Sequence, residues 1–332
     1  LGIGYLTSAT LFRAKDYASL LPVEEAEFSD SFSAIESIED FNKLPLIDAD
    51  AAERLADKTL GDLAQIGKES QFEVANAFST QINYKNAPYR VFPLQYGDIF
   101  KWLTNRADGI PGYITVNMNT QVAQFVQLEQ GITISPAEHF SRHLNRVLRF
   151  AYPTYIFGTP SFEIDETGTP YWICERIDKK VGLLGGDDVV GVVMVNAVTG
   201  EHHYYDIEEI RQGAGADGTD LAWVDQVYDA NLLLQQYNYY GRYSGGFINA
   251  YIGQAGVKMS TAGSNFFAIG DDVYLYTGVT SVTSDESILG FIVINQRTKD
   301  AFFYSVSGAT ERAAQNSAQG IVSDKGWTAT FP

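Results

Sequence analysis

One cysteine, four histidines and 23 basic residues are few for a chain of 332. The single cysteine, Cys174, rules out an intramolecular disulfide. Its setting, Tyr171-Trp172-Ile173-Cys174-Glu175, has the composition of a strand, so a buried, inert thiol is expected. Against the basic residues stand 41 acidic ones, a net charge of −18. Such a field repels nucleic acid and anionic membrane surfaces, so no nucleic-acid partner is expected. No G-x-S-x-G, P-loop, C-x-x-C or dinucleotide fingerprint occurs, and no catalytic, cofactor-binding or metal-ligating residue is assigned. The apolar run at residues 1–6 is far too short to cross a bilayer. It reads as the outer end of a membrane helix or signal segment, or as an ordinary buried strand.

What is present is apolar bulk. Hydrophobic residues make up 45%, with 20 Tyr and 20 Phe, a composition that suits packed sheets. It is also repetitive. Residues 112–128 (GYITVNMNTQVAQFVQL), 191–207 (GVVMVNAVTGEHHYYDI) and 290–306 (GFIVINQRTKDAFFYSV) align without gaps. Gly112, Gly191 and Gly290 coincide, as do Asn117, Asn196 and Asn295. So do Thr120, Thr199 and Thr298, and the aromatics Phe125, Tyr204 and Phe303. The pattern predicts a β-hairpin with the Asn side chain folded onto the turn backbone. Gly200 supplies the positive φ that closes such a loop. Gln121 and Lys299 stand there in the other copies, at a cost of about 1 kcal/mol for a left-handed non-glycine residue, so those two turns are expected to differ in detail.

A strand pair precedes each hairpin. Residues 81–84 and 87–91 match residues 162–165 and 169–173, and residues 266–269 and 273–276 keep the shape. A helix is predicted before each set: residues 48–66 opening at Asp48, residues 136–150 with Ser135 as cap and Pro136 in the first turn, and residues 221–235 capped by Asp220. The fold class is therefore α+β, in tandem modules of one helix packed on a small antiparallel sheet. The expected divisions are an N-terminal segment 1–47, modules at 48–131, 132–211 and 219–307, and the start of a truncated fourth unit at 308–332.

Candidate chemistry is thin. His139 and His143 stand four apart on a predicted helix, a spacing that puts two imidazoles on one face, but the H-E-x-x-H order is absent. His202 and His203 are neighbours in a strand and point to opposite faces. Asp271 and Asp272 read as turn formers, as do Asp217, Asp220 and residues 284–287. Tyr237, Tyr239, Tyr240 and Tyr243 form the densest aromatic cluster and are expected in a core between modules. Gly185-Gly186-Asp187-Asp188 resembles a nucleotide-cyclase loop, but Val189-Val190 follow it in place of Glu-Phe, so it reads as a plain loop.

The closing hairpin Asn196-Ala197-Val198-Thr199-Gly200 resembles that of PepSY-type and cystatin-like domains. That likeness implies extracytoplasmic modules that bind or inhibit other proteins. Residues 12–20 (FRAKDYASL), 170–173 (PYWI) and 276–281 (YTGVTS) are similar to stretches of an uncharacterised family of membrane-anchored proteins from Gram-positive bacteria. The resemblance implies an N-terminal membrane helix, a chain running on past Pro332, and no transferable activity or site. The expected function is a non-enzymatic binding or scaffold protein on the outer face of the cell membrane, with other proteins or its own copies as partners. The alternatives are a cell-envelope hydrolase with a carboxylate site between modules, and a structural subunit of a surface assembly.

Overall fold

The computed structural model describes residues 2–26, 44–64, 71–270, 272–282, 284–309 and 319. The expected fourth unit, apart from residues 308, 309 and 319, and Asp271 lie outside them. The chain is α+β, with three largely antiparallel sheets.

Each sheet is a meander laid down after a helix. Helix α3 (Ala49–Ala64) precedes β3 (Thr80–Tyr84), β4 (Ala87–Tyr96), β5 (Ile110–Asn117) and β6 (Ala123–Ile132). Helix α5 (Leu144–Ala151) precedes β8 (Ser161–Ile164), β9 (Pro170–Val181), β10 (Gly185–Asn196) and β11 (His202–Asp206). Helix α7 (Ala230–Tyr243) precedes β12 (Lys258–Ile269), β13 (Asp272–Ser281), β14 (Ser284–Asn295) and β15 (Ala301–Ala309). Short strands extend each sheet. β2 (Phe72–Val74) pairs with β4, β7 (Ile156–Phe157) with β9, and β1 (Val23–Ala26) lies parallel to β15.

The hairpin turn is the same in all three copies. Asn117 Oδ1 accepts the N–H groups of Asn119 and Thr120. Asn196 does the same for Val198 and Thr199, and Asn295 for Arg297 and Thr298. Gln121, Gly200 and Lys299 all have positive φ, and each donates its N–H to the carbonyl of its Asn at 2.9–3.0 Å. The expected difference between the turns is absent. The side-chain clamp and the closed backbone ring outweigh the cost of a non-glycine residue there.

The repeated glycine has a packing reason. Gly112 and Gly290 each follow a register shift in the hairpin, and Gly191 follows one in the pairing with the preceding strand β9. There the partner strand's carbonyl and the ring of Phe125, Tyr204 or Phe303 occupy the space where a Cβ would stand. One coincidence in the repeat, the aromatic, thus explains another, the glycine.

Each turn also anchors the entry to its own helix. The Met118 carbonyl accepts the N–H groups of Leu46 and Ile47, Ala197 those of Thr133 and Ile134, and Gln296 those of Val227 and Tyr228. Asp48 then caps α3 through the N–H of Ala51, and Asp229 caps α7 through that of Asn231.

Two predicted helices move. The third begins at Ala230 rather than 221, because Asp229, not Asp220, is the cap. Leu221, Val224, Val227 and Tyr228 are buried in irregular chain. The second begins at Leu144. Ser135 caps only a turn, through the N–H of Ala137, and His139 and His143 are extended. Buried Glu138 is held inside by the Tyr96 hydroxyl and Trp102 Nε1, both at 2.8 Å, which draws this stretch away from helical geometry. Among the short helices not anticipated are α4 (Ile99–Asn105), capped by Asp98, and α6 (Ile207–Gln212), with a capping box of Asp206 and Glu209.

The N-terminal run is helical, α1 (Gly2–Ser8) and α2 (Thr10–Ala18), not a strand. Helix α2 packs on α7, with the Tyr17 and Tyr239 rings 4.8 Å apart. Ile3, Tyr5, Leu6, Leu11 and Phe12 remain exposed. Among the described residues no helix is long and apolar enough to cross a membrane.

One continuous core joins the first two modules, and a second joins the last two with β1.

Candidate functional site

The meander gives equivalent positions in each module, and they are not filled alike. One register position before the turn Asn, on the paired strand, stand Arg90, Trp172 and Leu275, opposite Val116, Val195 and Ile294. On the preceding strand, opposite these, stand Gln81, Phe162 and Phe266. Two modules thus place Phe162 against Trp172 and Phe266 against Leu275, with Phe162, Trp172 and Leu275 fully buried. The first module places Gln81 against Arg90.

This polar pair lies where two cavities adjoin. One, of about 480 Å³, runs between the entry to α3 and the bulged part of β12; Leu46, Asp48, Gln81, Arg90, Phe266 and Tyr276 are among its walls. The other, of about 180 Å³, is walled by Ser79, Gln81, Arg90, Ser161, Gln226 and Asp229, so that all three modules contribute to it. Arg90 Nε donates to Ser79 Oγ at 3.0 Å, and a second guanidinium nitrogen to the Ser79 carbonyl at 3.4 Å. Gln81 Nε2 reaches the Phe266 carbonyl at 3.5 Å. Burial lowers the Arg90 pKa, against the pull of Glu53 and then Asp50. Neither acid stands within ion-pair distance, whereas Arg13, Lys179, Arg211, Lys258, Arg297 and Lys299 each meet a carboxylate. A half-buried guanidinium with open donors offers a planar fork to a carboxylate or another anion.

Beside the cavities lies a pair of buried acids. Glu163 accepts the N–H of Asp225 at 2.9 Å and of Gln226 at 3.0 Å. Asp225 accepts the N–H of Asn83 at 2.7 Å through one oxygen, and among the described residues its other oxygen has no hydrogen-bond partner. Burial pushes Glu163 up to about 7, against those backbone donors and the Ser161 hydroxyl. Asp225 is raised well above the usual carboxylate range by burial and then by the charge of Glu163. Glu175, also buried, is raised by burial and by Asp229. The carboxylate of Glu163 is committed to backbone N–H groups, so the pair ties the modules together.

The residues singled out from sequence are mostly structural. Cys174 is buried, and burial pushes its thiol up. His139 packs edge-on to Trp102, and no helix carries His139 and His143 on one face. His202 meets Tyr152 and His203 meets Tyr205. Gly185-Gly186-Asp187-Asp188 is not a loop but the start of β10. There Asp187 pairs with Lys179, and Asp188 with Lys299 at 2.6 Å. Asp272 is clamped by Arg297 and by Asn295 Nδ2. Asp217 accepts from Thr219 and Tyr205, and Asp220 caps Ala222. Residues 284–287 open β14 instead of forming a loop. Tyr237 and Tyr243 are buried in cores, with Tyr239 and Tyr240 packed beside them. Among the described residues no group of three or more His, Cys, Asp or Glu could hold a metal ion.

Arg90, Gln81, Glu163 and Asp225 escaped the sequence reading. The signal for the first was present: in the aligned stretches 87–91 and 169–173, Arg90 falls on Trp172. No protein-family model, no curated protein and no solved structure matches this chain.

Proposed function

We propose that the chain is a non-enzymatic binding or scaffold protein whose ligand presents a carboxylate to Arg90. On this reading the modules are of the PepSY/cystatin-like kind, and the protein sits on the outer face of a cell membrane, tethered at its N-terminal end. The observation that carries the binding reading is the replacement of an apolar core pair by Gln81 and Arg90 at a cavity wall. A cation without a carboxylate partner in a core register is costly unless it has another use. Asp48 on the same wall favours a ligand that also carries a positive group, such as a free amino acid or a peptide terminus. The tether reading draws support from the apolar side chains exposed on α1 and α2.

The test is calorimetric titration with a panel of amino acids and dipeptides. Binding by the wild type and its loss in Arg90→Leu support the reading. Leu275 fills the equivalent position, so this variant is expected to fold at least as stably. Absence of binding across the panel, or binding unchanged in Arg90→Leu, overturns it. A hydrolase using the buried acids is the second reading, favoured by Ser161 and Gln226, which both hydrogen-bond Glu163 and wall the smaller cavity.

A further inference from the structure

The second strand of the third hairpin is not an edge. β1 lies along β15 in parallel, Val23 opposite Ala301 and Ala26 opposite Tyr304. The repeat sets Ala301 to Tyr304 in register with Ala123 to Val126 of β6 and with His202 to Tyr205 of β11. In the first hairpin Asn117 donates its N–H to the Val122 carbonyl. Hydrogen-bonded pairs alternate along an antiparallel ladder, so Gln124 and Val126 turn their N–H groups toward β5, while Ala123, Phe125 and Gln127 turn theirs away. In β15 the groups that turn away face β1. Among the described residues β6 pairs with β5 alone. β11 has the same open side but is half as long, five residues against ten.

A groove of about 740 Å³ runs beside β6. Tyr89, Gln124, Val126 and Gln130 line one side, and Thr167 and Thr199 of the second module the other. Only Lys85 and Glu129 among its nineteen lining residues are charged, in a chain with a net charge of −18.

We propose that β6 receives an extended segment of a partner protein, added in parallel as β1 is added to β15, with alternate uncharged side chains lying in this groove. Main-chain pairing supplies the affinity, and the groove selects the side chains. The proposal does not depend on Arg90.

The probe is a labelled peptide of residues 20–26 carrying Glu24→Thr and Glu25→Thr. It keeps the backbone that already fills this role on β15 and removes the charge. Binding is expected to slow hydrogen exchange at the amides of Ala123, Phe125 and Gln127 at least tenfold. Ala123→Pro removes an N–H that the hairpin does not use, so thermal stability is expected to hold while binding and protection are lost. Arg90→Leu is expected to leave both intact. The proposal is overturned by no binding, by binding that survives Ala123→Pro, by protection confined to β15 through exchange with β1, or by concentration-dependent pairing of two copies through β6 without peptide.

Discussion

Glu163 and Asp225 stand at the meeting point of all three modules. Glu163 of the second accepts the Asp225 N–H, and Asp225, on the entry to the third, accepts the N–H of Asn83 in the first. Both acids are buried, so the neutral form of at least one is favoured by the fold.

That preference sets the sign of the pH response. The folded pKa of Glu163 is raised from 4.5 to about 7, so its contribution is complete below 4.5 and is lost as pH rises through about 7. The loss amounts to at most about 3 kcal/mol, and Asp225 adds to it in the same direction. Melting temperature is expected to be higher at pH 5 than at pH 8. Asp225→Asn, which mimics the neutral acid, is expected to narrow that gap by raising the pH 8 value. Scanning fluorimetry at the two pH values checks it; an unchanged gap in the variant removes Asp225 from the account.

The turn clamp is separable from the turn strain. Asn196→Ala removes the acceptor for two backbone donors and is expected to cost about 1–2 kcal/mol. Gln121→Gly relieves a left-handed residue that is exposed at its tip and is expected to gain up to about 1 kcal/mol. Urea unfolding measures both, and a destabilised Gln121→Gly would contradict the strain argument.

Gly290→Ala drives a Cβ into the Tyr304 carbonyl and the Phe303 ring. A loss of about 3 kcal/mol is expected, the upper end of overpacking costs. Phe303→Leu in the same chain should recover part of it, as a double-mutant cycle reports; strict additivity would show that the ring is not the obstacle.

Lys299 ties the third turn to Asp188 of the second module, and both are largely buried. Lys299→Met leaves Asp188 with only Gln236 as a side-chain partner among the described residues and is expected to cost about 2–4 kcal/mol. Adding Asp188→Asn should restore most of the loss. Equal losses in the single and double variants would mean the pair contributes nothing to joining the modules.

Much of the architecture was readable because it repeats. The three hairpins, their turn Asn residues and the strand pairs before them stand where the aligned letters placed them, since β periodicity and turn chemistry are local. The starts of α5 and α7 were not readable from nearby caps. A distant pull on Glu138 decided the first, and a second aspartate nine residues along decided the other. The short helices α4 and α6 carried legible caps, Asp98 and the Asp206–Glu209 box. The candidate site was half legible. Arg90 betrays itself by aligning with Trp172, whereas the approach of Asp225 to Glu163 exists only after the modules pack.

The pairing of Val23 with Ala301 also fixes an order of events during synthesis. A ribosome releases Val23 long before β15 exists, while each hairpin can close as soon as its own two strands have emerged. β1 is therefore the last strand of its sheet to be seated, waiting through the making of three modules for an edge that only the third completes. Such a closure is slow, because the ends of a long loop must meet. A nascent chain halted before β15 would carry β1 with no parallel partner to receive it.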